Sequence, residues 1–194
     1  MKKAVQKRTL ATRAKLIESA RKIISSKGYG ALRVEEVVQD AAVAKGTFFA
    51  HFPDKDALME IVIGSEIDTH LDALERQTPP ENTDDLIRYL QPLMQFMTSE
   101  RYVFDVILRH SGAAAKEEIG PIAQTFDRQV RVLAQWLSDG PYRKDVPAMI
   151  LAEGIQAFAI QCMALHFCAI NNELPIHKRM KLYLDAWLCP QNAS

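Results

Sequence analysis

Apolar residues recur along most of this chain with the 3.6-residue period of amphipathic helices. Residues 12–27 predict a first helix with one apolar stripe, formed by Leu16, Ile17, Ala20, Ile23 and Ile24. A short third helix is predicted over residues 45–51, and the short second helix before it carries Val34, Val37, Val38 and Ala41. Because runs of alternating β-branched residues are few, the pattern predicts an all-α fold.

Glycine, proline and capping residues divide this pattern into about nine helices. Gly28 and Gly30 bracket Tyr29 and predict a helix stop with a left-handed glycine cap. Asp54 is placed to cap a fourth helix, and residues 77–82 form the clearest break in the chain. Glycines at 112, 120 and 140 mark further loops. The remaining helices are predicted over residues 84–99, 102–110, 122–138, 148–170 and 177–188.

The stretch from residue 154 to 170 carries no formal charge and has the composition of a membrane span. Gln156, Gln161 and His166 interrupt it, and it is short for a hydrocarbon layer about 30 Å thick. A helix that is apolar on most sides is typical of the centre of a helical bundle, and we expect that placement and no membrane partner.

Charge is distributed unevenly in a chain whose formal net charge is zero. The first 52 residues hold 11 Lys or Arg against 4 Asp or Glu, and the rest hold 13 against 20. A basic end on an acidic body suits a protein that presents one end to a polyanion. The start of the chain lacks the apolar core of a signal peptide, so a cytoplasmic location is expected.

Three cysteines, Cys162, Cys168 and Cys189, form no CxxC pair and are expected to be reduced thiols. Cys162 and His166 lie four residues apart, but two possible ligands on an apolar helix do not define a metal site. The sequence also shows no nucleophile with a nearby base, no paired carboxylates and no phosphate loop. We therefore expect no metal, no cofactor and no enzyme activity. The alternative is an all-helical enzyme with a coincidental DNA-binding motif.

The second and third predicted helices, joined by a tight turn, form a helix-turn-helix motif. In such a motif the second helix enters the major groove of DNA, while the first braces it across the phosphate backbone. The inward positions of both helices are apolar, and the second helix offers an outward face formed by Lys45, Gly46, Thr47, Phe49 and His51.

The same segment resembles the DNA-binding domain of TetR (tetracycline repressor-like) family regulators. The resemblance is carried by KGYG at 27–30, VEEVV at 34–38, AAVAKGTFF at 41–49 and HFPDKDAL at 51–58, within a match from about residue 12 to 63. It implies a helix-turn-helix DNA-binding domain over residues 1–55. The remainder, residues 56–194, is implied to be a helical ligand-binding and dimerisation domain.

The resemblance also implies which residues contact double-stranded operator DNA: Arg33, Lys45, Gly46, Thr47, Phe49, His51 and Lys55. Thr47 can offer a hydroxyl to a base or phosphate and a methyl group to thymine. Lys55 lies at the positive N-terminal end of its helix. The alternatives are solvated lysines, a partly buried His51 without a DNA role, and a glycine at 46 that only permits close helix packing.

Four positions depart from the family pattern. Ala42 stands where the turn usually has Gly or Asn, and a left-handed alanine there would cost about 1 kcal/mol. Ala44 replaces a Ser or Thr cap, a loss of about 1 kcal/mol. Phe49 lacks the hydroxyl of the usual Tyr, and Arg33 replaces a capping Thr.

In this family the last two helices form a four-helix bundle with a second copy of the chain, so a homodimer is expected. The residues predicted at that interface form one apolar stripe on each helix: Leu151, Ile155, Phe158 and Cys162, with Met180, Tyr183, Leu184, Trp187 and Leu188. The alternative is that these stripes pack within one subunit.

The resemblance further implies a pocket for a small-molecule effector between the head and the dimer helices. The residues predicted to line it are apolar or aromatic with a few polar groups: Met94, Met97, Phe104, Ile107, His110, Phe126, Gln161, Met163 and His166. Gln161 and His166 are favoured because a buried polar group needs a partner. Each of these residues could instead be ordinary core.

Together these features predict a sequence-specific DNA-binding transcriptional regulator, expected from the family to be a repressor that a small apolar effector releases. The alternative is a constitutive DNA-binding protein of the same fold without an effector pocket.

Overall fold

The computed structural model describes residues 2–111, 119–168, 170 and 173–189, with side chains described from residue 8 onward. In this part of the chain the regular structure is helical, with no strand. The predicted all-α class is confirmed. The helices are α1 (Lys2–Lys27), α2 (Val34–Asp40), α3 (Lys45–Phe49), α4 (Lys55–Glu75), α5 (Thr83–Met97), α6 (Arg101–His110), α7 (Pro121–Asp139), α8 (Ala148–His166) and α9 (Ile176–Leu188).

Two helix boundaries differ from the prediction by more than two residues. Helix α1 begins at Lys2, well before residue 12, because nothing between these positions breaks a helix even though no apolar stripe marks it. Helix α8 ends at His166 rather than at residue 170, and Phe167 is its C-cap. The predicted loop glycine at 112 lies outside the described residues.

The predicted caps at both ends of the helix-turn-helix region are confirmed. Gly28 has φ +84°, the left-handed conformation that ends α1, and its N–H donates to the Ile24 carbonyl at 2.8 Å. The Asp54 side chain accepts from the Ala57 N–H at 2.8 Å and starts α4. These two residues fix where α1 ends and where the chain leaves the motif.

Helix α4 joins the N-terminal head (α1 to α3) to the body (α5 to α9). Leu58 and Met59 at its start and Ile67 and Leu71 further along are all buried, so one helix belongs to both cores. In the body α4 and α8 both pack against α7, and α9 packs against α5 and α8. A single helix therefore connects the packing of the body to that of the head.

Three side chains of the body, at or near α6, form polar contacts with the turn after α1 and with the start of α4. The Glu100 carboxylate accepts hydrogen bonds from the Tyr29 N–H at 2.7 Å and the Gly30 N–H at 2.8 Å, both in the turn after α1. Tyr102 donates its hydroxyl to Asp56 at 2.8 Å, and Arg109 pairs with the same carboxylate at 2.7 Å. Glu100, the N-cap of α6, is thereby fastened to the turn after α1, and α6 itself to the start of α4.

Among the described helices, α8 is long and apolar enough by composition to cross a membrane. One third of that apolar window is buried, where α8 packs on α7 and α9. The face that packs contains Leu151, Ala152 and Ile155, which have no exposed surface. The predicted position of this helix in a bundle is therefore confirmed for one of its faces, and the other face is open.

Candidate nucleic-acid interface

The inward face of the helix-turn-helix is a dry apolar contact. Val37 and Phe48 have no exposed surface, and Phe52 is 1% exposed. The rings of Phe48 and Phe52 lie 5.5 Å apart at their centroids, which fixes α3 against the chain that follows it. Burial of these residues leaves the opposite side of α3 facing outward.

The turn between α2 and α3 has the strained backbone that the sequence predicted. Ala42 has φ +53°, and it is the only residue other than glycine with positive φ among those described. Its N–H donates to Gln39 at 3.2 Å, and the next N–H, of Val43, donates to Val38 at 3.0 Å. These bonds hold the left-handed turn despite the cost of a Cβ there.

Helix α3 starts without a side-chain cap, also as predicted. Ala44 has the extended backbone of an N-cap but no side-chain oxygen, and only its carbonyl takes part, accepting from the Thr47 N–H at 2.9 Å. The first N–H groups of this five-residue helix therefore have no side-chain acceptor at the N-cap. They lie beside the outward-facing residues.

Gly46 lies on that outward face and has open space in front of it. A Cβ built at this position would meet nothing within 4 Å. The alternative that Gly46 permits close packing within the chain is therefore excluded. A glycine inside a helix costs stability relative to alanine, and packing within the chain does not account for it here.

The other residues predicted for DNA contact are accessible, with differing surroundings. Lys45 and Phe49 are exposed, Phe49 to 48%, while Thr47 and His51 are partly covered. Phe49 stands edge-on to Phe48 at 5.3 Å, so the core ring supports an aromatic side chain that itself faces solvent. Arg33 is exposed and makes no capping hydrogen bond to α2.

Lys45 is not a free cation in this structure. Its Nζ lies 2.6 Å from an oxygen of Glu35 on α2, and this hydrogen bond holds the Glu35 pKa below its usual value. Both side chains are more than half exposed, so the pair is readily exchanged for another partner. A phosphate close to Lys45 would compete with Glu35 for the ammonium group.

Lys55 lies under the body rather than in open solvent. Its Nζ is 4.4 Å from the centroid of the Tyr102 ring, a cation–π contact between the first turn of α4 and α6. Partial burial, and then the nearby Arg33 charge, lowers the pKa of Lys55. The positive charges of Arg33 and Lys55 thus repel each other in this structure.

Sequence reasoning did not single out Arg13, which the structure brings to the end of the recognition helix. Its guanidinium lies 4.9 Å from the centroid of the Phe52 ring, just beyond α3. The residue stands on α1, 39 positions before Phe52 in the chain. The sequence offered no spacing that links two residues so far apart, and only the basic character of this end pointed to it.

The structure scatters most of the residues predicted for an effector pocket. Met97, Phe104, Ile107, Phe126 and Met163 are buried in the core. His110 is paired with Glu60 on α4 at 3.1 Å. The expectation that Gln161 and His166 are buried polar groups is wrong, since both are exposed. Their helix turns them away from the apolar side that packs on α7 and α9.

A cavity of about 390 Å³ lies between α5, the end of α8 and the start of α9. Of the predicted pocket residues, Met94 and His166 line it. Its other lining residues are Ile87, Gln91, Gln95, Thr98, Leu174, Pro175, Ile176 and His177. None of these carries a carboxylate, a lysine or an arginine, so the wall combines apolar side chains with neutral amides, one hydroxyl and two imidazoles.

The predicted dimer interface needs a larger correction. Six of its residues are at most 1% exposed within a single chain and cannot contact a second copy: Leu151, Ile155, Cys162, Met180, Leu184 and Leu188. They form the contact between α8 and α9 and the rest of the body. Phe158, Tyr183 and Trp187 remain partly exposed, with Phe158 stacked on Tyr183 at 4.9 Å. The assignment to a dimer interface is therefore wrong for the six buried residues, and for the three partly exposed ones it stays a prediction.

The head has the geometry of a helix-turn-helix motif, and comparison with known proteins agrees. The family described as bacterial regulatory proteins, tetR family, matches residues 16–62. The chain is 28% identical over 189 residues to an HTH-type transcriptional regulator of Haemophilus influenzae, covering 95% of this chain and 87% of that protein. It also matches YuxN and YvdT of Bacillus subtilis, spanning 15% and 56% of their lengths.

Solved structures share the fold across the body as well. RolR in complex with resorcinol superposes with a TM-score of 0.67 at 18% identity, covering 94% of this chain and 88% of RolR. FadR of Thermus thermophilus, a TetR-family repressor in complex with lauroyl-CoA, gives 0.65 at 14% identity, covering 90% and 92%. The predicted resemblance to the TetR family is confirmed for the helix-turn-helix head by the family match over residues 16–62.

Proposed function

We propose that this regulator is a repressor whose homodimer binds a palindromic operator and is released by a small apolar effector. The observation that carries the DNA-binding part is the open face of α3. There Gly46 has nothing within 4 Å of a Cβ, and exposed Lys45 and Phe49 flank it. A backbone free of side-chain cover, beside a cation and an aromatic ring, suits close approach to a duplex.

The dimer follows from what the last two helices leave uncovered. Met149 and Ile150 on α8 are 45% and 46% exposed, and Leu182 on α9 is 64% exposed. Partly exposed Phe158 and Tyr183 lie between the two helices. A second copy that covers this apolar face would pair two recognition helices, which is how such motifs gain affinity for palindromic sites.

The cavity between α5, α8 and α9 supports the effector part of the proposal. Its volume of about 390 Å³ and its uncharged, largely apolar wall suit a small organic molecule. The fold neighbours RolR and FadR were solved with resorcinol and lauroyl-CoA, respectively. The cavity favours a ligand-controlled regulator over a constitutive one.

A physical route links this cavity to the head. Met94, Gln95 and Thr98 line the cavity at the end of α5, and Glu100 follows two residues after Thr98. The Glu100 carboxylate holds the turn at Tyr29 and Gly30. An effector that binds better when the end of α5 is displaced would favour a head orientation that does not fit the operator.

The experiment is selection of duplexes from random DNA by the full chain, followed by binding of the selected duplex with and without a panel of small aromatic and acyl compounds. We expect a palindromic consensus and at least one compound that weakens binding. A consensus that no compound affects would support the constitutive alternative. Failure to retain any duplex at low salt would overturn the proposal.

Two variants test the placement of the duplex. Lys55→Met keeps the aliphatic stem on Tyr102 and should reduce the salt slope of binding by about 1 for all sequences, because one phosphate contact is lost. Thr47→Ala should relax one base position by ~1–3 kcal/mol. Arg131→Met is the control, since this exposed α7 residue pairs with Asp127 in its own helix. An unchanged slope for Lys55→Met would contradict the phosphate contact.

A further inference from the structure

The first part of α1 extends beyond the family motif as a helix with little protein around it. The motif match starts at residue 16, whereas the helix starts at Lys2. Residues 8–11 are exposed at four consecutive positions, more than one full helical turn, and Leu10 is 61% exposed. We define residues 2–15 as the N-terminal arm. No side of its described turn at residues 8–11 packs on the body.

The arm lies at the N-terminal end of α1, beyond the ion pairs that this helix makes with α2. Lys27 pairs with Glu36 at the middle of α2, and Lys22 pairs with Asp40 at its end. Arg13 then lies over Phe52, beyond α3. Along α1 from its C-terminus the helix thus passes α2 and reaches the end of α3. At the other end of α1, the body contacts the turn that follows this helix, at Tyr29.

The charge of the arm has one sign. It contains six Lys or Arg at positions 2, 3, 7, 8, 13 and 15, and the first carboxylate of the chain is Glu18. Lys3 and Lys7 are four residues apart, a spacing at which like charges destabilise an isolated helix. A polyanion beside the arm would offset this repulsion. If the proposed function is correct, operator DNA next to α3 is such a polyanion.

We propose that the N-terminal arm is a second DNA-binding element, which lies against the phosphate backbone outside the base pairs that α3 reads. This inference rests on the proposed operator binding and adds a contact to it. The arm contributes affinity and salt dependence, and it carries no information about base sequence, because lysine and arginine contacts to phosphate are independent of sequence. Arg13, at the junction with α3, links the two contacts.

The test compares Lys7→Gln/Arg8→Gln with the matched control Arg76→Gln/Arg131→Gln, which removes two exposed cations from the body. Binding to a selected operator is measured over a series of salt concentrations, on a duplex with long flanks and on one trimmed to the palindrome. We expect the arm variant to bind the long duplex about tenfold more weakly, with a salt slope smaller by about 1 for each lost phosphate contact. The control should bind like the parent.

The two duplexes separate the possible outcomes. On the trimmed duplex the arm variant and the parent should bind equally, because the flanking phosphates are absent. If the arm variant keeps the parent's affinity and salt slope on the long duplex, the inference about the arm is wrong while operator binding stands. If the parent binds neither duplex, the proposed function itself fails. Helical content and thermal unfolding of the variant, compared with the parent, show whether the fold is retained.

Discussion

The turn between α2 and α3 is held by a residue that is poorly suited to its conformation. Ala42 has φ +53° and is exposed, so its Cβ adds strain without contributing to the core. Glycine adopts the same backbone without that strain. Ala42→Gly should therefore stabilise the protein by about 1 kcal/mol, which urea denaturation followed by circular dichroism would measure.

Ala50, eight residues later in the chain, provides a control for the Ala42 substitution. Ala50 is also exposed but has φ −72°, a conformation in which glycine brings only added freedom to the unfolded chain. Ala50→Gly should destabilise the protein by up to about 1 kcal/mol. Equal effects of the two substitutions would mean that the left-handed backbone of Ala42 is not strained.

Replacement of Gly46 should change stability and DNA binding in opposite directions. Since a Cβ there meets nothing within 4 Å, Gly46→Ala should keep the fold and raise stability by up to about 1 kcal/mol through helix propensity. The added methyl group would stand between α3 and a bound duplex, so affinity for the selected operator should fall about tenfold or more. Thermal unfolding and titration of labelled duplex measure the two effects. Unchanged affinity would remove Gly46 from the proposed interface.

Sequence analysis predicted local backbone conformations and caps correctly, but it did not predict contacts between side chains of different helices. The left-handed conformations of Gly28 and Ala42 and the cap at Asp54 were predicted because local residue types determine them. The ion pair between Lys45 and Glu35 and the contact of Arg13 with Phe52 were not. Both depend on how separate helices are placed against one another, which no local pattern contains.

At the scale of elements, one arginine joins two helices of the body. Arg128 on α7 contacts three carboxylates on α4: Asp68 at 2.9 Å, Asp72 at 2.7 Å and Glu75 at 2.8 Å. These acids are about one helical turn apart, so they line one face of α4. Hydrogen bonding from Arg128 lowers the pKa of Glu75 below its usual value.

Arg128→Met should destabilise the protein by about 1 kcal/mol near neutral pH, since exposed ion pairs are individually weak. A folded-state pKa below the unfolded value means that Glu75 stabilises the fold above the unfolded pKa, and that this contribution is lost as pH falls through the folded pKa. The difference between parent and variant should therefore shrink in acid.

The measurement for Arg128 is urea unfolding of both proteins across the acid range. Arg131→Met serves as the control, because exposed Arg131 pairs with Asp127, one turn away on the same helix. The control should cost no more than about 0.5 kcal/mol. A difference that does not depend on pH would show that Arg128 acts through packing of its aliphatic stem and not through charge.

The helices themselves were largely predictable, while their partners were not. A stripe such as Leu151, Ile155 and Cys162 indicates that one face of a helix is covered, but the period is the same whether the cover is the same chain or another. Exposed Gln161 shows the converse, since a polar residue on an apolar helix faces outward here. Helix α1 was predicted too short because the sequence before residue 12 has no apolar stripe to detect.

At the scale of the whole molecule, the exposed face of α8 and α9 connects fold to function. Leu182 is 64% exposed on α9, whereas Met180, Leu184 and Leu188 on the same helix have no exposed surface. A glutamate at 182 would leave the intrachain core intact and place a charge on the proposed dimer contact. Burial of that charge without a partner is strongly unfavourable.

Leu182→Glu should therefore yield folded monomers at concentrations where the parent sediments as a dimer in analytical ultracentrifugation. It should bind the full palindrome about 100-fold or more weakly than the parent, because two linked heads act at a high effective concentration that single heads lack. Binding to a half-site duplex should be unchanged, since each head is intact. That equality separates loss of dimerisation from loss of the DNA-binding surface.

Leu108→Glu provides the matched control, because Leu108 is also exposed, to 38%, but lies on α6. It should remain dimeric and bind the palindrome as the parent does. If Leu182→Glu instead stays dimeric and Leu108→Glu dissociates, the two copies meet through α6, and the cavity at the end of α8 lies away from the interface. In that case an effector would act on the head within each subunit, through Glu100 alone, without altering how the two copies are paired.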